Sequence, residues 1–360
     1  MNILVVSLLF PLLENPNRGL FVAQHINDLE QKGHTVRIIN PLPRMIRYAE
    51  TSRSTLKGVA KTPKKFKTTR HEVLSPKFFD FPDHPFPRLT LQSVARKANW
   101  VKKNLGSWKP DIVLCHTIFP CAQLASTLAK QWNIPWIGII HGHDIDVGLH
   151  HQSTGRYIRR LASDAHALVC VSKSLYEKAT LEQLNQTLRY IPCRTEVGKD
   201  WARPMKPWKG RWRKETLDIL FPSDPRRPEK NYFLALQTGE ELERRGWKVG
   251  ITKLQHQPHD VALDRMLTAD VTLITSLREA GPITARESIL CGTPVVAVDV
   301  GDMGSYLPPQ WIRKPDPIDL ADGVEEALQN GWSEGGPSLD FCSTTEVMKA
   351  WTSLLEQHVE

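Results

Sequence analysis

No Cys-x-x-Cys pair occurs among the six cysteines at positions 115, 121, 170, 193, 291 and 342, and most of them lie in apolar stretches. That argues against a disulfide framework and for a reducing, cytoplasmic setting. The chain also lacks any apolar run of the ~20 residues that a helix needs to cross a bilayer. Residues 3–10 are apolar enough to resemble a leader peptide, but no basic segment precedes them and no Ala-x-Ala-like site follows. They read as a first strand. That strand is not followed by Gly-x-Gly-x-x-Gly, which disfavours a nicotinamide-dependent dehydrogenase. Acidic residues are comparatively few, 39 against 47 Lys and Arg, giving a net charge of +8 and a pI near 9.1. Such a surface attracts anions: nucleotides, anionic lipid or nucleic acid.

What is present fits a soluble globular protein, with 41% apolar and 24% charged residues in 360, enough for two domains with their own cores. The positive charge is local. Between Arg44 and Arg70 there are nine Lys and Arg and one acid, Glu50; between Arg203 and Lys214 six Lys and Arg surround Trp208 and Trp212. Each stretch reads either as a solvated loop or linker, or as a contact with a membrane surface or polyanionic acceptor.

Strand and helix patterns alternate along the chain. Strand 2–9 leads through Asn15-Pro16-Asn17-Arg18-Gly19 into helix 20–32, and strand 35–39 comes after it. Residues 41–90 read as irregular, a length that is usually functional or mobile. Helix 91–104, strand 110–116, helix 120–131 and strand 135–140 come next. Helix 155–163, strand 167–171, helix 173–184 and strand 187–191 complete a doubly wound domain. The expected division is a first domain over 1–195, a linker over 196–214, a second α/β domain over 215–338, and a final helical segment over 339–360.

Glu279 and Glu287 bracket Ala280-Gly281-Pro282-Ile283-Thr284-Ala285-Arg286 between two β-branched apolar runs, 271–276 and 295–300. The unit is strand, glycine-containing loop, helix and strand, with Pro282 predicted as the first helical residue and Gly292-Thr293-Pro294 as the stop. Such a loop and helix start present backbone N–H groups at the carboxyl edge of a parallel sheet, where anions bind. Two carboxylates roughly two helical turns apart can take hydroxyls from both ends of one extended ligand. A sugar nucleotide has that form.

Arg278-Glu279-Ala280-Gly281-Pro282, continued by Glu287-Ser288-Ile289-Leu290-Cys291-Gly292-Thr293-Pro294, resembles the donor-site segment of retaining glycosyltransferases of family 4. The resemblance covers nearly the whole chain and is densest over 265–302. It implies the GT-B fold, two Rossmann-like domains facing a cleft, with the last helix returning to the N-terminal domain. It also implies a retaining, metal-independent transfer from a nucleoside-diphosphate sugar to an acceptor hydroxyl, with no further cofactor. By that resemblance Glu287 holds the ribose and Glu279 the sugar hydroxyls, with Gly281, Ile283, Thr284 and Gly19 also at the donor. The turn after strand 217–221 carries Arg226, Arg227 and Lys230 where family members place an arginine and a lysine for the diphosphate. Lys230 matches in position; the arginine is Arg227 or Arg226, and Arg227 is preferred.

His141-Gly142-His143-Asp144 leaves a strand and has three readings. It could ligate a metal, Asp144-Ile145-Asp146 could mimic an Asp-x-Asp metal motif, or His141 resembles the family's donor-sugar histidine, facing the sugar from the N-terminal domain. The third is favoured. His116 ends another strand, and a structural role is at least as plausible there. The implied partners are a UDP- or GDP-linked donor and a saccharide or lipid-linked acceptor in cell-surface polysaccharide or glycolipid synthesis, with no nucleic acid. Peripheral contact with the inner membrane face through 44–70 is also expected. The rival readings are an idle sugar-nucleotide or membrane-binding scaffold and a sugar-nucleotide epimerase.

Overall fold

The computed structural model describes residues 1–44, 56–81, 83–204, 216–255, 257–330 and 337–359. All of 205–214, including Trp208 and Trp212, and residues 45–55 of the 44–70 basic segment lie outside the described residues. The described chain divides into two compact units, Met1–Pro192 with Val347–Glu360, and Cys193–Glu346.

Unit 1 begins with β1 (Asn2–Ser7), α1 (Leu20–Gln31) and β2 (Thr35–Ile39). Short strands β3 (Leu42–Pro43), β4 (Lys65–Lys67), β5 (Glu72–Leu74) and β6 (Lys77–Phe78) punctuate the stretch that composition marks as irregular. They are too short for periodicity to show. Helices α2 (Pro87–Ala95) and α3 (Ala98–Leu105) replace the single helix expected over 91–104. The apolar stripe Leu91, Val94, Ala98 and Val101 is buried on both sides of the break, so the pattern alone reads as continuous. Next come β7 (Ile112–His116), α4 (Cys121–Trp132), β8 (Trp136–Ile140), α5 (Gly155–Asp164), β9 (Ala167–Cys170), α6 (Lys173–Leu181) and β10 (Leu188–Tyr190).

The sheet of unit 1 runs β10-β9-β8-β7-β1-β2-β5-β4, parallel except for β4. Strands β1, β7, β8 and β9 are almost continuously apolar and buried, as a sheet covered on both faces requires. Strand order reverses between β1 and β7, where Ser7 pairs with His116 at the carboxyl ends. Ligand crevices open at such a switch point.

Unit 2 contains β11 (Leu217–Phe221), α7 (Tyr232–Arg244), β12 (Val249–Lys253), α8 (His259–Thr268), β13 (Val271–Ile274), α9 (Ile283–Leu290), β14 (Val295–Val298), β15 (Ile312–Arg313) and α10 (Pro317–Asn330). Its all-parallel sheet runs β12-β11-β13-β14-β15, so its switch point lies between β11 and β13. Pro282 is the N-cap of α9 rather than its first residue, with ψ 103° outside the helical range.

The unit boundaries differ from the sequence expectation. Residues 193–204 do not form a free linker: Thr195 N–H donates to Cys342 O (2.8 Å), Trp201 Nε1–H to Asp264 (2.7 Å) and Arg203 N–H to Leu290 O (3.0 Å). Those bonds place them in unit 2, together with 339–346. Helix α11 (Thr344–Glu356) buries Val347, Met348, Trp351, Leu354 and Leu355, and from Val347 onward it belongs to unit 1.

Candidate active site

At the switch point of unit 2 the backbone leaving β11 and β13 opens a small pocket that is partly open to solvent. Pro222 and Ser223 line one side, Thr275 and Ser276 another, with Lys230, Glu279 and Thr284 contributing the chemistry. Lys230 and Glu279 form an ion pair, 15% and 13% exposed, and Ser276 Oγ–H donates to the same Glu279 oxygen at 2.6 Å. The loop is held from below. Thr275 Oγ1–H reaches Lys230 O and Asn231 O (3.1 and 2.9 Å), and Leu277 N–H donates to Glu229 O (2.9 Å). Gly301 fixes its other side. It has φ +68°, and a Cβ there would come within 2.6 Å of Ala280 O and 3.2 Å of Glu279 Cβ. Only glycine tolerates both conditions.

Glu287 lies in the second turn of α9, the helix whose first turn carries Ile283 and Thr284. It is buried, and its Oε1 is 2.7 Å from His259 Nε2. That hydrogen bond raises the pKa of His259 against the lowering effect of burial. The next residue back, Arg286, is fully buried against Asp302 (2.7 Å), donates to Cys193 O (3.3 Å) and lies over the rings of Tyr306 and Phe341. It is a structural ion pair in the interior of unit 2.

Lys230, Glu279 and Thr284 are thus brought into one pocket, with Gly281, Ile283 and Glu287 on the same loop and helix. The two arginines are not among its lining. Arg226 engages Asp224 through Nε and Nη2 (3.1 and 2.8 Å), and Arg227 engages Glu229 in the same manner (2.9 and 2.7 Å). His259 and Gly301 escape sequence reasoning, because each acts on a residue distant in sequence; Ser276, three residues before Glu279, is read only as the end of a strand. His259 meets Glu287 from the start of α8, 28 residues away.

In unit 1 three imidazoles form a chain. His25 of α1 has Nδ1 3.3 Å from His116 Nε2, and His116 Nδ1 is 2.9 Å from His141 Nε2. Trp351 stacks on His25 (centroids 4.5 Å), and Phe21, one turn before His25, lies on His141 (4.5 Å). Burial brings His25 and His141 down to about 3, and His116 well below its ordinary value, so the chain is neutral at neutral pH. A neutral imidazole has one N–H and one lone pair. The bonds therefore run in a single direction through His116, and Nδ1 is the nitrogen of His141 that the chain does not use. The Phe21–His25 spacing on α1 is the sequence signal that could have exposed this cluster.

Gly19 starts α1 with φ +65°, and a Cβ there would approach Leu9 C to 2.7 Å. Arg18, beside it, is buried and donates to Leu8 O (2.7 Å) and Phe10 O (3.1 Å), bracing the loop after β1. Asp144 accepts Ile118 N–H and Phe119 N–H (3.0 and 3.1 Å), and burial raises it to about 6. Asp146 pairs instead with Lys178 (2.6 Å). The two aspartates are thus committed to different partners, and among the described residues no group of three His, Cys, Asp or Glu is disposed to hold a metal ion.

Comparison with known proteins agrees with this architecture. The family model described as Glycosyltransferase Family 4 matches residues 19–193, and that described as Glycosyl transferases group 1 matches residues 227–335. A Bacillus subtilis (strain 168) protein, provisionally named teichuronic acid biosynthesis glycosyltransferase TuaC, is 22% identical over 339 residues, 85% of this chain and 82% of its own. Among solved structures, an α,α-trehalose-phosphate synthase (UDP-forming) from Burkholderia xenovorans superposes with TM-score 0.66 at 12% identity, covering 99% of this chain and 100% of that one. Anabaena HepE, solved with UDP and glucose, gives 0.61 at 14% identity over 99% and 100%. These neighbours share the GT-B fold, which the present chain also has. With both family models matched in order along its two units, the chain belongs to the glycosyltransferases of family 4.

Proposed function

We propose that this protein is a retaining glycosyltransferase that moves a sugar from a nucleoside diphosphate to an acceptor hydroxyl. The observation that carries the reading is the pocket of Lys230, Glu279 and Thr284 at the switch point of unit 2, with Glu287 on the same helix. A cation buried beside an exchangeable carboxylate suits a ligand bearing both phosphate and hydroxyls. In the bound state Lys230 turns from Glu279 to the diphosphate, and Glu279 accepts hydroxyls of the sugar. Glu287 takes the ribose hydroxyls in place of, or alongside, His259. The N–H groups opening α9 face the same anion.

In the reaction the bond between the anomeric carbon and the diphosphate oxygen breaks. The acceptor oxygen bonds to that carbon from the same face, and its proton passes to the leaving diphosphate. Lys230 stabilises the charge that grows on the departing oxygens, a task that a metal ion performs in other transferases. Arg227 or Arg226 joins it only by leaving Glu229 or Asp224. His141 meets the sugar through Nδ1. UDP-linked sugars are the first donors to try, because the Anabaena relative was solved with UDP and glucose. The name of the Bacillus relative favours a saccharide acceptor in polysaccharide synthesis, free or carried on lipid. A peripheral place at the cytoplasmic membrane face completes the reading; no helix among the described residues is long and apolar enough to cross a membrane.

The test is a panel of UDP- and GDP-sugars offered with saccharide acceptors, with and without EDTA, and the product anomer read by NMR. Transfer with retained configuration in EDTA is expected. An inverted product refutes retention, and release of sugar only with added divalent cation refutes metal independence.

A further inference from the structure

Between Phe79 and Leu89 the described residues present an apolar strip that no other described residue of unit 1 covers. Phe79, Phe81, Phe86 and Leu89 are 51, 45, 53 and 54% exposed, four of the twelve large apolar side chains exposed among the described residues. Scattered single side chains need no explanation, but a cluster does. The fold builds it deliberately. Strands β3 and β6 run side by side and release Arg44 and Phe79 together, so that the guanidinium lies 4.6 Å from the ring centroid. Phe79 N–H donates to Ser93 Oγ of α2 (2.8 Å), and Phe81 and Phe86 meet edge to face at 5.6 Å.

The charges around the strip are mostly positive. Arg88 is exposed beside Leu89, and Arg96 and Lys64 are also exposed. Burial and the neighbouring charges of Arg44, Lys64 and Arg96 lower the pKa of Lys97, which places these cations in one cluster. Asp80 is turned inward, accepting from Phe81 N–H (3.0 Å), Thr90 Oγ1–H (3.0 Å) and His84 Nδ1 (2.9 Å). Asp83, exposed, and the inward-turned Asp80 are the acids within the strip among the described residues.

We propose that this face is a membrane-docking surface for anionic phospholipid. Phe79, Phe81, Phe86 and Leu89 enter the boundary between headgroups and acyl chains, while Arg44, Lys64, Arg88, Arg96 and Lys97 meet lipid phosphates. Aromatic and long apolar side chains suit that depth, and basic residues supply attraction that an uncharged bilayer lacks. A second copy of the chain is the poorer occupant, since a symmetric contact would set two cation clusters against each other. The proposal rests on and deepens the membrane part of the proposed function, and shifts the anchor from the basic segment 44–70 to the aromatic strip.

The test is flotation of the full chain with vesicles of phosphatidylcholine alone or with phosphatidylglycerol added, at low and high salt. Wild type should float with the anionic vesicles at low salt and lose most of that binding at high salt. The triple variant Phe79→Ser, Phe81→Ser and Phe86→Ser should bind at least tenfold less, while Leu181→Ser, on α6 and 83% exposed, should bind as wild type. Arg44→Gln with Lys97→Gln should lose the preference for anionic vesicles. Wild type that ignores anionic vesicles, or a triple variant that still floats, overturns the proposal. So does a triple variant whose main change is a smaller sedimentation coefficient, which would make the face a contact between copies. Sugar transfer to a water-soluble acceptor should be the same in all these variants; its absence from wild type with flotation intact would strike the glycosyltransferase reading alone.

Discussion

The two switch points of the molecule are equipped with opposite chemistry. In unit 2 the carboxyl ends of β11 and β13 lead to paired charges, Lys230 with Glu279 and Glu287 with His259, above the fully buried Arg286–Asp302. In unit 1 the ends of β7 and β8 lead to three imidazoles kept neutral by burial, and Asp144 is spent on two backbone N–H groups. Burial penalises charge in both places. Unit 2 meets the penalty by pairing, which leaves ions that a charged ligand can recruit. Unit 1 meets it by neutralising, which leaves hydrogen-bonding groups suited to an uncharged hydroxyl. The same alternation of strands and helices thus carries paired ions in one unit and neutral hydrogen-bonding groups in the other, through the side chains at and just beyond the strand ends.

The comparison breaks most visibly at Arg286. Removing it takes the ion-pair partner from the buried Asp302 carboxylate, so Arg286→Ala should cost about 3–5 kcal/mol of stability. Denaturant unfolding measures it, and a loss below about 1 kcal/mol would mean that the pair does not hold α9. Lys230→Ala should cost about 1–3 kcal/mol of stability by taking the ion-pair partner from the largely buried Glu279, and should lower kcat by about 10²–10³ at saturating donor, since the cation acts mainly on the leaving group. Arg227→Ala should do far less, because that arginine is held by Glu229. Equal losses for the two variants would show that Arg227 leaves its partner when donor binds.

In unit 1, His116→Phe keeps the ring and removes both hydrogen bonds. It should cost about 1–3 kcal/mol of stability by leaving buried nitrogens of His25 and His141 unpaired. The rate at saturating donor should also fall roughly tenfold, because the ring of His141 is no longer held. A stability loss with an unchanged rate would make the histidine chain purely structural.

The smallest effect concerns His259. Its folded pKa is raised, so the Glu287 pair adds stability that is full below the unfolded value near 6.5 and is lost as pH rises through the folded one. With its side chain 40% exposed, the increment should be a few tenths of a kcal/mol. Comparing wild type with His259→Gln at pH 6 and pH 8 sharpens the contrast: the difference between them should shrink at the higher pH. A difference that grows instead would reverse the sign assigned to the pair.

Much of this was legible in the sequence, and the reasons for the rest are physical. The apolar runs of β1, β7, β8, β11, β13 and β14 marked both sheets, because strands buried on both faces have few polar residues. The 279–287 segment was legible because its loop, helix start and following strand are local. The partners that set each group's charge were not. His259 reaches Glu287 and His25 reaches His116 only through tertiary packing, and no spacing rule connects them. Arg227 was favoured for the diphosphate on its position in the turn, but the acid two residues later decides where its guanidinium lies. The division of the chain falls at 192–193 rather than 195, and the residues that follow it show why a linker was expected there. Proline and basic residues suggest a linker, whereas Cys193, Thr195 and Arg203 are bonded to α9 and to the 342 turn.

The most direct test of the central claim, that the β11–β13 switch point of unit 2 binds a nucleoside diphosphate, is calorimetric titration of UDP and GDP into wild type and Glu287→Ala. At least one nucleotide should bind wild type, and the variant should lose about 1.5–3 kcal/mol of affinity, roughly ten- to a hundredfold, while unfolding normally. Equal affinity in the two proteins would remove Glu287 from the site, and a wild type that binds neither nucleotide would contradict the account.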